Sequence, residues 1–189
     1  MTTRTRTRAL AAGFAVGGLL IVTACDNSQS LPVTRPTTSS SSTTSPTSAP
    51  TRTLSPAEKD LTSAKEAVSK LWSLTDELAS DPTRNLGELS TVARDQAIAQ
   101  WRSILTGERV KQWKQIGKAT VVSSEAKATG ANSFAVTACI DVIKVDVVDK
   151  AGKSVVGAGR LPRARDTYKV VKTPQGFFVT TDTLEGKPC

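Results

Sequence analysis

Three carboxylates in strand-like sequence, Asp141, Asp146 and Asp182, are the side chains best suited to acid–base chemistry in this 189-residue chain. A carboxylate pair can act as general acid and base when its surroundings push the two proton affinities apart. Asp141 shares a strand face with Cys139. The hydrophobic pattern, however, puts Asp141 and Asp146 on opposite sides of an inferred bulge, and alternating charges usually mark a solvated face. The chain has no histidine. That removes Ser-His-Asp and Cys-His nucleophilic catalysis and most catalytic zinc sites. Ser133 and Ser154 lack a nucleophile-elbow context, and Gly157-Ala158-Gly159 does not form a phosphate loop after a strand. No catalytic residue, metal ligand or cofactor is assigned, and the chain is expected not to be an enzyme.

The aromatic residues offer binding chemistry. Trp72 and Trp101 fall on apolar stripes and are expected in the core. Trp113 sits among Arg109, Lys111 and Lys114 with no stripe of its own, so it is a candidate for an exposed binding surface. Tyr168, the one tyrosine, is expected to pack its ring and leave its hydroxyl at a rim, and it joins Trp113 as a candidate binding residue. Lys111, Lys114 and Lys118 form only a loose basic group. A nucleic-acid surface would show a basic stripe with interleaved aromatics, so no nucleic-acid partner is expected. The formal net charge of +8 also overstates the basicity of the working protein, because Arg4, Arg6 and Arg8 lie in a segment expected to be removed.

That segment has the build of a secretory signal. The three arginines form a positive start without acidic residues, and Ala9 to Val22 is an apolar run of about fourteen residues, short for a helix of about 20 that spans a bilayer. The arginines never pair, which disfavours a twin-arginine signal. Val22-Thr23-Ala24-Cys25 resembles the bacterial lipobox. The resemblance implies cleavage before Cys25, a diacylglyceryl thioether on its sulfur, and anchoring to the cell membrane on the extracytoplasmic side. Two acyl chains suffice for stable anchoring. Residues 1–24 are thus read as signal peptide and 25–54 as the lipidated cysteine with a Ser/Thr/Pro-rich disordered linker. The linker's near absence of apolar residues leaves it nothing to bury, and its reach is on the order of 30 Å.

Residues 55–189 are read as one globular domain. Ser55-Pro56-Ala57-Glu58 carries a serine cap, proline at the first helical position and a glutamate placed for a capping box. Leu61, Ala64, Val68, Leu71, Trp72 and Leu78 follow at helical spacing, with Thr75 bridging one longer step, and the helix is expected to end near Asp81-Pro82. A second stripe runs through Leu89, Val92, Ala93, Ala97, Trp101, Ile104 and Leu105, on one helix or two, with Gly107 as the expected C-cap. After Gly117 the period becomes two. Ala119 to Lys127 predicts a strand. Phe134, Val136, Ala138, Ile140 and Val142 alternate on even positions, then Ile143, Val145 and Val147 on odd ones. The change of parity predicts one long strand over 133–149 with a β-bulge. Lys153 to Gly159 is expected to return along it, and Thr167 to Lys172 with Phe177 to Asp182 to form a last hairpin.

Helices followed by a bulged antiparallel sheet make an α+β class. This order resembles the nuclear transport factor 2-like fold, a cone formed by a strongly curved sheet on N-terminal helices. The whole layout also resembles small actinobacterial lipoproteins with a Ser/Thr stalk and a late cysteine pair, some of them carried by phages or prophages. With Cys25 lipidated, Cys139 and Cys189 remain, and an exported domain with two cysteines most often joins them. The bridge is expected to clip the C-terminus onto the sheet.

The expected function is a non-enzymatic binding or accessory module of the cell envelope, with the membrane as one partner through its lipid. The other partner is expected to be an envelope protein or a small apolar ligand. A phage-type surface-exclusion lipoprotein and a small cavity isomerase or dehydratase are the alternatives. A dry pocket holding a buried carboxylate of raised pKa would favour the enzyme.

Overall fold

The computed structural model describes residues 53–189. The expected signal peptide, the lipidation expected at Cys25 and nearly all of the expected 25–54 linker lie outside the described residues.

Helix α1 (Pro56–Ser80) starts on the expected capping box. Ser55 Oγ accepts from the Glu58 amide at 3.2 Å, and the Ser55 amide donates to Glu58 Oε2 at 2.8 Å. Two of the helix's otherwise orphaned amides are satisfied this way. The stripe Ala64, Val68, Leu71 and Leu78 is buried as its spacing requires, and Thr75 joins it because its hydroxyl returns to the Trp72 carbonyl at 3.0 Å. The helix ends at Ser80 with Asp81 as its cap.

The second apolar stripe is split. Leu86–Thr91 is a 3₁₀ turn and Asp95–Val110 is helix α2. Between them the chain leaves helical geometry to bond with a strand: the Arg94 amide donates to the Val179 carbonyl at 2.9 Å, and the Val179 amide to the Val92 carbonyl at 3.0 Å. Gly107 is not the cap. Helix α2 runs on to Val110, and the reversal comes at Gln112, whose φ is 56°.

Six strands follow: β1 (Lys114–Ile116), β2 (Thr120–Gly130), β3 (Ser133–Asp141), β4 (Asp146–Val148), β5 (Arg163–Thr173) and β6 (Gly176–Lys187). Strands β2-β3-β5-β6 form one antiparallel sheet in that order, and β1-β4 form a separate pair. The fold class implied by the nuclear transport factor 2-like resemblance is therefore the one observed: N-terminal helices packed on a bulged antiparallel sheet. Phe134, Val136, Ala138 and Ile140 of β3 bury against Ala64, Val68 and Leu71 of α1, with Val170 and Val179 beside them. Leu78, Leu89 and Leu105 make a smaller cluster between the helices.

The long bent strand over 133–149 is not formed. Strand β3 stops at Asp141, residues 142–145 turn, and the Val145 amide donates to the Val142 carbonyl at 3.0 Å. Strand β4 then pairs with β1 in the other sheet. The parity change thus marks a turn between two sheets. The expected return strand over Lys153 to Gly159 shrinks to a bridge between Val148 and Ser154. The bulges fall elsewhere: two along β2 against β3, and two along the β5–β6 pair, at Thr180 and near Glu185–Gly186.

Cys139 and Cys189 are joined, with Cα atoms 5.8 Å apart. Strand β6 itself docks on β5, so the bridge carries the chain end past β5 and fastens it to β3.

Candidate ligand pocket

Strand β5 sends Asp166, Tyr168 and Val170 inward on its even positions, and all three are buried. On β6 the inward residues would be odd, as Val179 is, but the bulge at Thr180 adds one residue and reverses the faces. Asp182 is thereby turned inward opposite Tyr168, while Leu184, opposite Asp166, stays largely exposed. Two acidic side chains of these strands enter the core: Asp166 is 5% exposed and Asp182 4%.

Their neighbours are aromatic. The Trp72 indole N–H donates to the Tyr168 hydroxyl at 2.8 Å, and that hydroxyl donates to Asp166 Oδ2 at 3.2 Å. The Trp101 indole N–H donates to Asp182 Oδ2 at 2.9 Å. Trp72 and Trp101 meet edge to face with ring centroids 5.4 Å apart, an arrangement favoured by the ring quadrupoles. Gln96 fixes the Asp182 backbone, accepting from its amide at 2.8 Å and donating to its carbonyl at 3.2 Å. Asp166 Oδ1, by contrast, is buried without a hydrogen-bond partner among the described residues. A buried, unsatisfied acceptor is costly and calls for a reason.

A cavity of about 310 Å³ opens beside Asp166, lined also by Trp72, Ile140, Val142, Leu161 and Leu184. Its volume sits at the lower end of small-molecule sites, and such sites combine apolar walls with few polar groups. Arg160 reaches the same cavity from the β4–β5 connection, with its guanidinium bonded to the carbonyls of Val142 and Val145. The bulge near Glu185–Gly186 shapes the β6 wall, where Gly186 takes φ of 65°.

Burial raises the Asp166 pKa to about 6, and the charges of Asp182 and Glu185 add to the shift while the Tyr168 hydroxyl opposes it. Burial also raises Asp182, opposed by the Trp101 hydrogen bond. Tyr168 is pushed well above its ordinary value by burial and by both carboxylates. Folded Asp166 therefore holds its proton more tightly than an aspartate of the unfolded chain. Its contribution to stability is complete below the ordinary value of 3.8 and lost as pH rises through about 6. Replacing Asp166 with asparagine should leave stability little changed at pH 3 and raise it at pH 8, by on the order of 2 kcal/mol. Guanidinium unfolding at the two pH values checks this, and an equal change at both would contradict it.

The structure does not bring the three carboxylates expected from sequence together. Asp141 accepts from Arg163 Nε at 2.8 Å and from the Ile143 amide at 2.9 Å, which hold its pKa below the usual value. Asp146 accepts from Ser154 Oγ at 2.7 Å and from the Val147 amide. Both brace turns. Asp182 instead belongs with Asp166. Tyr168 is only 3% exposed, so its ring lies in the core and not on an outer surface, and its hydroxyl works inside the Trp72–Asp166 chain. Trp113 is half-buried, with Lys111 Nζ 4.2 Å from its ring centroid, and lines a separate cleft with Pro82 and Arg109. Among the described residues no three acidic, cysteine or histidine side chains cluster as metal ligands.

Asp166 could have been found. It shares the even register of Tyr168 and Val170, and starting the last hairpin at Thr167 placed it one residue outside the strand. No comparable signal marks the Thr180 bulge.

The fold and pocket define a helix-on-sheet α+β domain with an apolar cavity open to one side. No protein-family model matches the sequence, and no curated protein matches it. Among solved structures, the chain is similar to the intermembrane-space region of the chloroplast protein ARC6. That match has 14% identity and a TM-score of 0.49, covering 66% of this chain and 95% of that one. It is also similar to a putative aromatic ring hydroxylase from Novosphingobium aromaticivorans (12% identity, TM-score 0.47, 64% and 87% covered). A third similar structure is Aln2 from a Streptomyces species (12% identity, TM-score 0.44, 71% and 93% covered).

Proposed function

We propose that the chain is an extracytoplasmic lipoprotein, held at the cell membrane through Cys25, whose domain binds a small apolar ligand in the cavity beside Asp166. The carrying observation is that cavity, with apolar walls and a carboxylate oxygen that has no hydrogen-bond partner among the described residues. Binding needs no histidine or metal, so the residue types present suffice. A second reading, a cavity enzyme of isomerase or dehydratase type, draws on Asp166 itself. A carboxylate with a pKa of about 6 suits proton transfer near neutrality. The actinobacterial type suggested by the Ser/Thr stalk and late cysteine pair belongs to the same proposal.

The binding test is native mass spectrometry of the chain purified from its own envelope. A small molecule retained by the wild type and lost from Ala164→Trp, which fills the cavity wall, is the expected result. No retained molecule in either protein would count against binding, and a molecule released chemically altered would favour the enzyme. The anchor is tested separately. Among the described residues no helix is long and apolar enough to cross a membrane, so Cys25→Ala should abolish palmitate labelling and shift the protein out of the membrane fraction. Label still incorporated into the variant would refute the lipid on Cys25.

A further inference from the structure

We propose that the occupant of this cavity is a lipophilic amine, its ammonium group received by Asp166 and its hydrocarbon body by the wall of Trp72, Ile140 and Leu184. The inference rests on the reading that the cavity binds a small ligand, and it specifies the ligand's chemistry.

An ionised carboxylate only accepts hydrogen bonds. Asp166 receives one donor, Tyr168, on Oδ2, and its other oxygen has none among the described residues. A ligand that completes it must donate. Charge then chooses between donors. The groups facing Asp166 are Tyr168 on its own strand, Asp182 and Glu185 on β6, Arg160 from the β4–β5 connection, and Trp72 from α1. Asp76, one turn further along α1, is engaged by Gln115 Nε2 at 2.6 Å and by the Ala119 amide at 2.9 Å. The donors to Asp166 and Asp182 are a phenol and an indole, both neutral, and neither carboxylate forms an ion pair among the described residues. Arg160 donates through Nη2 to two backbone carbonyls. Glu185 is paired with Lys187 Nζ at 3.6 Å, so Asp166 and Asp182 against Arg160 leave a net negative field beside the apolar walls. A neutral hydroxyl would satisfy the hydrogen bond alone, whereas an ammonium satisfies both the bond and the field, and an indole beside it adds attraction.

The test uses three cage-shaped probes of equal bulk: 1-adamantylmethylamine, 1-adamantylmethanol and 1-adamantanecarboxylate. Each is titrated calorimetrically into the full chain carrying Cys25→Ala. The amine should bind at least tenfold more tightly than the alcohol at pH 7.5, with the carboxylate weakest. Its affinity should rise with pH through about 6, where Asp166 loses its proton, and level off above. Asp166→Asn should abolish both the preference for the amine and the pH dependence of its binding. The pH dependence on the wild type decides the matter even if that variant fails to fold. Equal binding of amine and alcohol would overturn the amine inference and leave the cavity reading standing. Alcohol or carboxylate binding tighter than that of the amine at pH 7.5 would overturn it in favour of a ligand that accepts a hydrogen bond. Failure of all three probes at millimolar concentration would overturn both readings.

Discussion

Gly117→Ala should destabilise the domain by about 2–5 kcal/mol, a large share of the 5–15 kcal/mol typical of such a fold. Gly117 has φ of 78°, and a Cβ added there would lie 1.8 Å from the Lys144 carbonyl oxygen. The left-handed backbone alone costs a non-glycine residue roughly 1–2 kcal/mol. The overlap is with backbone, not with a side chain that can swing away, so the two segments must separate, at about 1–3 kcal/mol for overpacking of this kind. Separation is resisted locally. Buried Asp76 holds this junction through Gln115 Nε2 and the Ala119 amide. Gly152→Ala is the control, because Gly152 has φ of 80° with open space where the Cβ would go. It should cost only about 1 kcal/mol. Urea unfolding of both variants measures the difference, and equal losses would show that the Gly117–Lys144 approach is slack.

Cys189→Ser should cost up to about 4 kcal/mol in the chain-entropy account of a loop of about 50 residues. The loss should appear first at the end of β6, since a chain end frays unless something ties it. The pocket should feel it as well. Leu184 and Gly186 form part of the cavity wall, and the bridge is attached just beyond them. Hydrogen exchange in the variant should therefore quicken at residues 184–187 before it does in β3. Free-thiol titration of the unreduced wild type should find neither cysteine reactive. Two reactive thiols per chain would rule out a structural bridge.

Local signals in the sequence carried much of this fold. The Ser55–Glu58 box and the Ala64–Val68–Leu71 stripe each depend on a few neighbouring residues, and both appear as read. The even alternation from Phe134 to Ile140 likewise fixed the buried face of β3. What went wrong depended on partners distant in sequence. The parity change after Val142 is the same for a bulge within one strand and for a turn into another sheet; only the pairing of β4 with β1 separates them. The stripe through Ala97 and Leu105 could not show that Val179 would interrupt it upstream. The pocket was hidden for the same reason. Asp182 looked like part of a set with Asp141 and Asp146 until the Thr180 bulge turned it toward Tyr168. The cysteine pair was legible because compartment and residue count, not geometry, argued for it.

Asp166 floors an apolar-walled cavity, and one of its carboxylate oxygens has no hydrogen-bond partner among the described residues. Carbon-13 NMR of the aspartate side-chain carboxyls, followed from pH 3 to 9 on the ligand-free full chain and assigned by Asp166→Asn, tests it most directly. The account predicts a midpoint near pH 6 for Asp166, well above the ordinary 3.8, that falls when an amine occupies the cavity. A midpoint near 4 in the empty protein would mean that water already solvates the carboxylate, and the pocket as described here would not exist.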